Sequence, residues 1–239
     1  MAGCVSTGSQ ATAGEPVASS QGTEQAMLAA FLVVDGVYNT ELIAPMDVFD
    51  HTRYHDPQGL GIQVVTVSPD GQPITTAEGL RISPDYSFAN APKADILVVA
   101  SAEGSRDRDL ENLALIDWVR RTGSEARYVM SLCWGAFVLA EAGLLDEHAC
   151  TTFPSDYGRF AQTFPELDLR FNVSFVHDRQ RLTSQGGIRS FEAAMYLVDL
   201  LFGEEVATGV GSGLLITWPP PPGQRPEIVS GPVTPPAGR

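Results

Sequence analysis

Residues 127–145 read RYVMSLCWGAFVLAEAGLL, and the fold turns on them. Tyr128–Leu132 is a short apolar run of the kind that a strand buried on both faces requires. Cys133 follows directly, Gly135 stands two residues on, and an Ala/Leu-rich helical stretch covers Trp134–Leu145. A strand that passes into a helix through a Cys–x–Gly turn holds the thiol on a sharp corner, above the free N–H groups of the helix N-terminus. Those groups and the helix dipole favour an anion, so the spacing predicts a thiol of lowered pKa at Cys133. The plain alternative is a small buried apolar side chain, which an isolated cysteine usually is. The strand–Cys–x–Gly–helix setting favours a functional thiol.

Outward from this stretch the same alternation recurs. Leu28–Val34, Ile62–Val67 and Ile96–Ala100 are further apolar runs of strand length. Helical stretches separate them: Pro45–Arg53 with proline in its first turn, Leu110–Arg121, and Ile188–Phe202, where Phe191, Met195 and Val198 recur at helical spacing. The segment Gln72–Ser83 breaks the rhythm and reads as a small β excursion. Strand–helix alternation predicts an α/β fold, a single three-layer α/β/α sandwich on a mostly parallel sheet, with functional residues at the C-terminal ends of the strands.

The 239 residues carry 15 Lys+Arg against 29 Asp+Glu, and 44% are hydrophobic. That is enough apolar material for a sizeable core. Three cysteines are too few for a disulfide scaffold. No apolar run reaches the length of a membrane span. Residues 1–26 hold no aromatic, Lys or Arg and read as a flexible tether. Residues 218–239 hold eight of the seventeen prolines and should be extended rather than packed. The two ends carry −2 and +1, which leaves −13 of the total −14 on the α/β domain, residues 27–217. A chain this acidic lacks the basic stripe that neutralises phosphates, so nucleic acid is not an expected partner. Nothing in the residues calls for a metal or a cofactor.

Several stretches in order resemble the ThiJ/PfpI superfamily: the elbow SLCWGAFVLAEAGLL, then Ala149-Cys150-Thr151-Thr152, LTSQGGIRSFEAA at Leu182–Ala194, and TELIAPMDVF at Thr40–Phe49. The likeness spans about residues 28–216. Within the superfamily it is nearest to isocyanide hydratases and to the amidotransferase-like sensory halves of AraC-type regulators. The resemblance implies a flavodoxin-like sandwich of the class I glutamine amidotransferase kind, with Cys133 as nucleophile or redox-sensitive thiol. It implies that Glu41 points at the sulfur from the loop before a helix beginning at Pro45. A protonated carboxyl there can hydrogen-bond a thiolate and pass a proton. By spacing alone Glu41 is an ordinary acid at a helix start. The resemblance also places Thr183, Ser184 and Gly186 at the border of the site and makes a homodimer an expectation.

Three positions depart from the family pattern. Thr151-Thr152-Phe153 stands where many relatives have T-T-H, and none of His51, His55, His148 and His177 falls at that place. His148, in the loop LDEHA, is expected to be exposed. A Cys–His dyad for amide hydrolysis therefore lacks its base. Ala100-Ser101-Ala102 replaces Pro-Gly-Gly, so an oxyanion hole built from the N–H groups of Ser101, Ala102 and Trp134 must form with β-carbons present. Trp134 replaces a smaller residue, either filling space or offering a flat wall and an N–H donor to a ligand. Arg189 reads as a surface arginine and Glu192 as a helix-start acid.

Ala2-Gly3-Cys4 has the form of the end of a bacterial lipobox, which makes Cys4 a lipidation candidate with residues behind it as a linker. No basic and apolar leader precedes it in this sequence, so an incidental cysteine is the alternative. The compartment follows that choice: cytoplasmic as the sequence stands, membrane-anchored if a signal sequence precedes Met1. Two functions emerge. One is a cysteine-dependent hydratase or lyase acting on a small electrophile through Cys133 and Glu41, since one carboxyl serves as sole acid and base. The other is a ligand or redox sensor that keeps the pocket without turnover and without the DNA-binding half of the regulators. An inert Cys133 is the baseline for both.

Overall fold

The computed structural model describes residues 26–220 and 227–229. Cys4 and nearly all of the expected tether lie outside those residues, as does most of the proline-rich stretch. Along the chain run β1 (Met27–Leu32), α1 (Asn39–His51), β2 (Ile62–Ser68), the short strands β3 (Ile74–Thr75), β4 (Arg81–Ile82) and β5 (Tyr86–Ser87), and β6 (Ile96–Val99). Next come α2 (Leu113–Glu125), β7 (Tyr128–Leu132), α3 (Gly135–Glu141), β8 (Ala149–Cys150), α4 (Tyr157–Thr163) and β9 (Asp168–Leu169). The last elements are β10 (Phe175–Asp178), β11 (Arg181–Ser184), α5 (Ser190–Phe202), α6 (Glu204–Leu214) and β12 (Glu227–Ile228).

Eight strands form one sheet in the order β12-β10-β11-β7-β6-β1-β2-β5. Every neighbouring pair is parallel except β10 with β11. The apolar runs are continuous because both faces are covered. In β6, Ile96 and Val98 pack with Phe31, Met130 and the α1, α5 and α6 residues Phe49, Val198 and Val210. Leu97 and Val99 face the other way, onto Trp118, Phe137 and Phe160 of α2, α3 and α4. This is the expected sandwich. The excursion at 72–83 is the β3–β4 hairpin, pairing Ile74 with Ile82. The strand after β1 lies to one side of it (β2) and β6 lies to the other, so the order reverses beside β1. In open α/β sheets the crevice outside the strand ends at such a reversal is where ligands bind.

Three local expectations are corrected. The first helix does not begin at Pro45: α1 starts at Asn39, and Pro45 lies inside it. Proline there has no N–H for the Glu41 carbonyl and interrupts the ladder. The helix persists because Leu42, Ala44, Val48 and Phe49 are buried against the core. Glu41 is thus in the first turn, not in a preceding loop. The elbow helix stops at Glu141 instead of Leu145, since Gly143 takes φ 70° and the N–H groups of Gly143 and Leu144 close on the carbonyls of Ala140 and Leu139 at 2.9 Å each. This is a glycine cap. The proline-rich stretch is not wholly unpacked: Trp218 packs against the core, its indole N–H donates to Asp199 at 2.9 Å, and β12 pairs with β10.

Candidate active site

β7 ends at Leu132, which pairs with Ser184 of β11, and Cys133 turns the chain at φ 56°. That left-handed conformation costs a non-glycine residue about 1–3 kcal/mol, so neighbours must impose it. The Cys133 N–H donates to the Ser184 carbonyl at 2.9 Å, and the Cys133 carbonyl accepts from the Thr152 hydroxyl at 2.9 Å. Two glycines make room. A β-carbon on Gly135 would stand 2.0 Å from the Val99 carbonyl oxygen. One on Gly186, itself at φ 83°, would stand 2.3 Å from Cβ of Cys133. The G of the Cys–x–Gly turn and the G of T-S-x-G are therefore both steric requirements of the elbow.

Glu41 is 6% exposed, and its carboxylate is held at both oxygens. Oε2 accepts from the Ser101 hydroxyl, and Oε1 accepts from the Gly187 N–H at 2.9 Å. Around Sγ of Cys133 the structure gathers the Glu41 carboxyl, the Ser101 hydroxyl and the Trp134 N–H. α1, the loop after β6, the elbow and the loop after β11 thus meet at one sulfur. The predicted lowering of the thiol pKa is not what results. Burial pushes it well up, and the adjacent Glu41 charge pushes it further, outweighing the Ser101 hydroxyl and the Trp134 N–H. A thiolate here would stand buried beside the Glu41 carboxylate, so the Cys133 thiol keeps its proton.

The remaining residues divide by role. The Ala102 N–H donates to the Ser105 hydroxyl at 2.8 Å and is spent inside its loop. The Trp134 backbone N–H reaches Sγ, beside the Ser101 hydroxyl. Thr183 and Ser184 are fully buried supports: the Thr183 hydroxyl accepts from the Thr151 N–H at 2.8 Å, and the Ser184 hydroxyl accepts from the Gly186 N–H at 3.2 Å. Arg189 pairs with Glu192 one turn away, as surface residues do. His148 is not exposed; its side chain is 12% accessible, 3.7 Å from Asp178, and burial lowers its pKa. None of the four histidines is among the groups that reach Sγ. Cys133 and Cys150 are both free thiols.

One constellation was not anticipated. The Trp134 indole N–H donates to Asp156 Oδ2 at 2.8 Å, Arg106 pairs with Asp156 Oδ1 at 2.7 Å, and the guanidinium lies 3.7 Å over the Trp134 ring. Tyr38 and Phe153 meet the same indole edge-to-face, with ring centroids 5.7 and 6.4 Å away. Phe153, in place of the family histidine, therefore joins an aromatic wall. Asp156 follows it by three residues in a plain Pro-Ser-Asp turn, and nothing local in the sequence ties that acid to a tryptophan 22 positions earlier. Among the described residues no group of three or more His, Cys, Asp or Glu side chains could hold a metal ion.

A parallel sheet that presents a left-handed cysteine beside a buried acid defines the class of α/β proteins with a nucleophile elbow. The DJ-1/PfpI family pattern matches residues 27–200, and the chain belongs to that family. It is 29% identical over 182 residues to an isonitrile hydratase of Pseudomonas putida, covering 76% of this chain and 75% of that one. It is 30% identical over 146 residues to the HTH-type transcriptional regulator GbdR of Pseudomonas aeruginosa, covering 61% of this chain and 39% of the regulator, so it spans about two-fifths of that relative. In three dimensions it superposes on Drosophila melanogaster DJ-1beta with a TM-score of 0.70 at 22% identity, over 81% of this chain and all of the other. At that identity the likeness concerns the fold.

Proposed function

We propose that this chain is a cysteine-dependent enzyme that hydrates a small electrophile, in the manner of an isocyanide hydratase. The observation that carries the reading is the buried Glu41 carboxyl and the Trp134 backbone N–H meeting at Sγ of Cys133. In such a reaction Glu41 serves as both acid and base. As Sγ bonds to the terminal carbon of R–N≡C, the thiol proton passes by way of Glu41 to that carbon, giving a thioimidate, R–N=CH–S. Water adds to the C=N bond, its oxygen bonding to carbon while Glu41 takes one of its protons and hands it to nitrogen, giving R–NH–CH(OH)–S. The carbon–sulfur bond then breaks as the hydroxyl proton passes by way of Glu41 to sulfur, which releases the formamide R–NH–CHO and restores the thiol. No amine leaves, so the family histidine replaced by Phe153 is not needed. Incubation with a panel of alkyl and aryl isocyanides should yield formamides with the wild type and none with Cys133→Ser. Absence of product across the panel overturns the reading.

The second reading is a sensor. It draws support from the 5% exposure of Cys133 and from the regulators among the relatives. Saturable binding of a small molecule that shifts Trp134 fluorescence, without consumption of that molecule, is its expected signature.

A further inference from the structure

Four charged side chains stand near the elbow, Glu41, Glu103, Arg106 and Asp156, and they are not evenly paired. Tyr38 is the hub: its phenol feels Glu103, Cys133, Glu41 and Arg106, while its ring packs on Trp134. Glu103 lies against the β1–α1 loop, its carboxyl oxygen 3.0 Å from where a β-carbon on Gly36 would stand. Among the described residues no basic side chain pairs with Glu103 or with Glu41, which is held by the neutral Ser101 hydroxyl and the Gly187 N–H and borders Sγ of Cys133. Arg106, the cation of the group, is already committed. It is bound to Asp156 at 2.7 Å, flattened on the indole at 3.7 Å, and its Nε is buried without a partner. The guanidinium and Asp156 cancel, which leaves the elbow negative on a domain that is itself acidic.

We infer that the site selects its substrate by charge: uncharged or cationic electrophiles reach Cys133, and electrophiles bearing a carboxylate or sulfonate are turned away, with Glu103 as a specificity-determining residue. The inference rests on Cys133 being the nucleophile and names the class of substrate that nucleophile meets. An incoming anion is repelled by Glu103 and Glu41, and the Arg106 guanidinium is already bound to Asp156. An incoming cation meets the same carboxylates and the aromatic wall of Tyr38, Trp134 and Phe153.

Three methanethiosulfonates test it on the full chain: the neutral methyl ester, the cationic 2-(trimethylammonio)ethyl reagent and the anionic 2-sulfonatoethyl reagent. In each, Sγ bonds to the sulfenyl sulfur, the sulfur–sulfur bond of the reagent breaks, methanesulfinate leaves with the electron pair, and the thiol proton passes to Glu41 or solvent. Rates are read on the Cys133 peptide by mass spectrometry and divided by each reagent's rate with free 2-mercaptoethanol. The normalised cationic-to-anionic ratio should be at least about tenfold and should shrink in molar salt, because charges near solvent are screened. Glu103→Gln should cut the ratio at least about threefold. A ratio equal to that of the free thiol, or one untouched by Glu103→Gln, overturns the charge selection alone. A Cys133 that none of the three reagents labels overturns the nucleophile as well.

Discussion

Glu41 holds Cys133 protonated, yet the proposed reaction needs it as acid and base, and this separates reactivity from catalysis. The carboxylate keeps the thiol protonated, so Glu41→Gln should lower the pKa of Cys133 and speed its alkylation by iodoacetamide at pH 7.5 severalfold, while formamide production is lost. An alkylation rate unchanged by the substitution would show that Glu41 does not hold the thiol protonated. Gly186→Ala tests the elbow itself. Its new β-carbon would meet Cys133 at 2.3 Å with φ at 83°, and the expected outcome is a loss of about 2 kcal/mol or more in urea denaturation, with the labelling of Cys133 altered. The cysteine, the acid and both glycines were legible in the sequence because each carries a local or family-wide signature. The thiol pKa was not. A helix N-terminus argues for an anion, but the burial and the neighbouring charge that prevail over it are contributed by loops distant in sequence.

At the scale of elements, Asp156 joins three of them. It accepts from Arg106 in the loop after β6, from Trp134 at the head of α3, and from Ser155 beside it. Removing it leaves a part-buried guanidinium and an indole N–H unpaired. Asp156→Ala should therefore cost about 2 kcal/mol and red-shift the Trp134 emission as the ring comes loose. A variant as stable as the wild type would mean that the three loops hold without it. A second element-level effect lies on the β10–β11 hairpin. Buried His177 donates from Nε2 to the Arg179 carbonyl at 2.6 Å and accepts at Nδ1 from Tyr196 of α5 at 2.9 Å, the arrangement of a neutral ring. Burial holds the pKa of His177 below the ordinary histidine value, and that of His148 as well. The unfolded chain thus binds more protons than the folded one as pH falls through about 6.5. Stability is complete above that value and declines below it, so the urea midpoint should drop between pH 7.5 and 5.5, and His177→Gln should flatten the drop. Strand and helix identities were readable from hydrophobic runs. Boundaries were not, since α1 is held across Pro45 by burial and α3 is stopped by a glycine cap that its Ala/Leu composition conceals.

Across the whole molecule, several large apolar side chains stand exposed, among them Ile43 on α1, Ile188 beside Gly187 and Leu215 after α6, at 40, 74 and 94%. Ile188 shares with Phe191, Leu214, Ile216 and Trp218 a largely apolar cleft of about 600 Å³, and the neighbouring Gly187 N–H donates to Glu41. A homodimer closing on this face is the expected assembly: sedimentation should give twice the chain mass, and Ile188→Asp should give the monomer. A wild-type monomer at micromolar concentration would rule it out. Sheet class was legible from alternation alone, but this face was not, because exposed isoleucines look in sequence like buried ones.

The two residues of β12 have a consequence out of proportion to their length. β10 is buried along its whole span, and without Glu227–Ile228 beside it the sheet would end there in a row of open backbone donors and acceptors. Such a rim is a template on which another chain can lay down a strand. Glu227–Ile228 therefore works as a selvage. A chain cut after Pro220 should keep its elbow chemistry yet gather into aggregates on storage, seen as light scattering that grows with concentration.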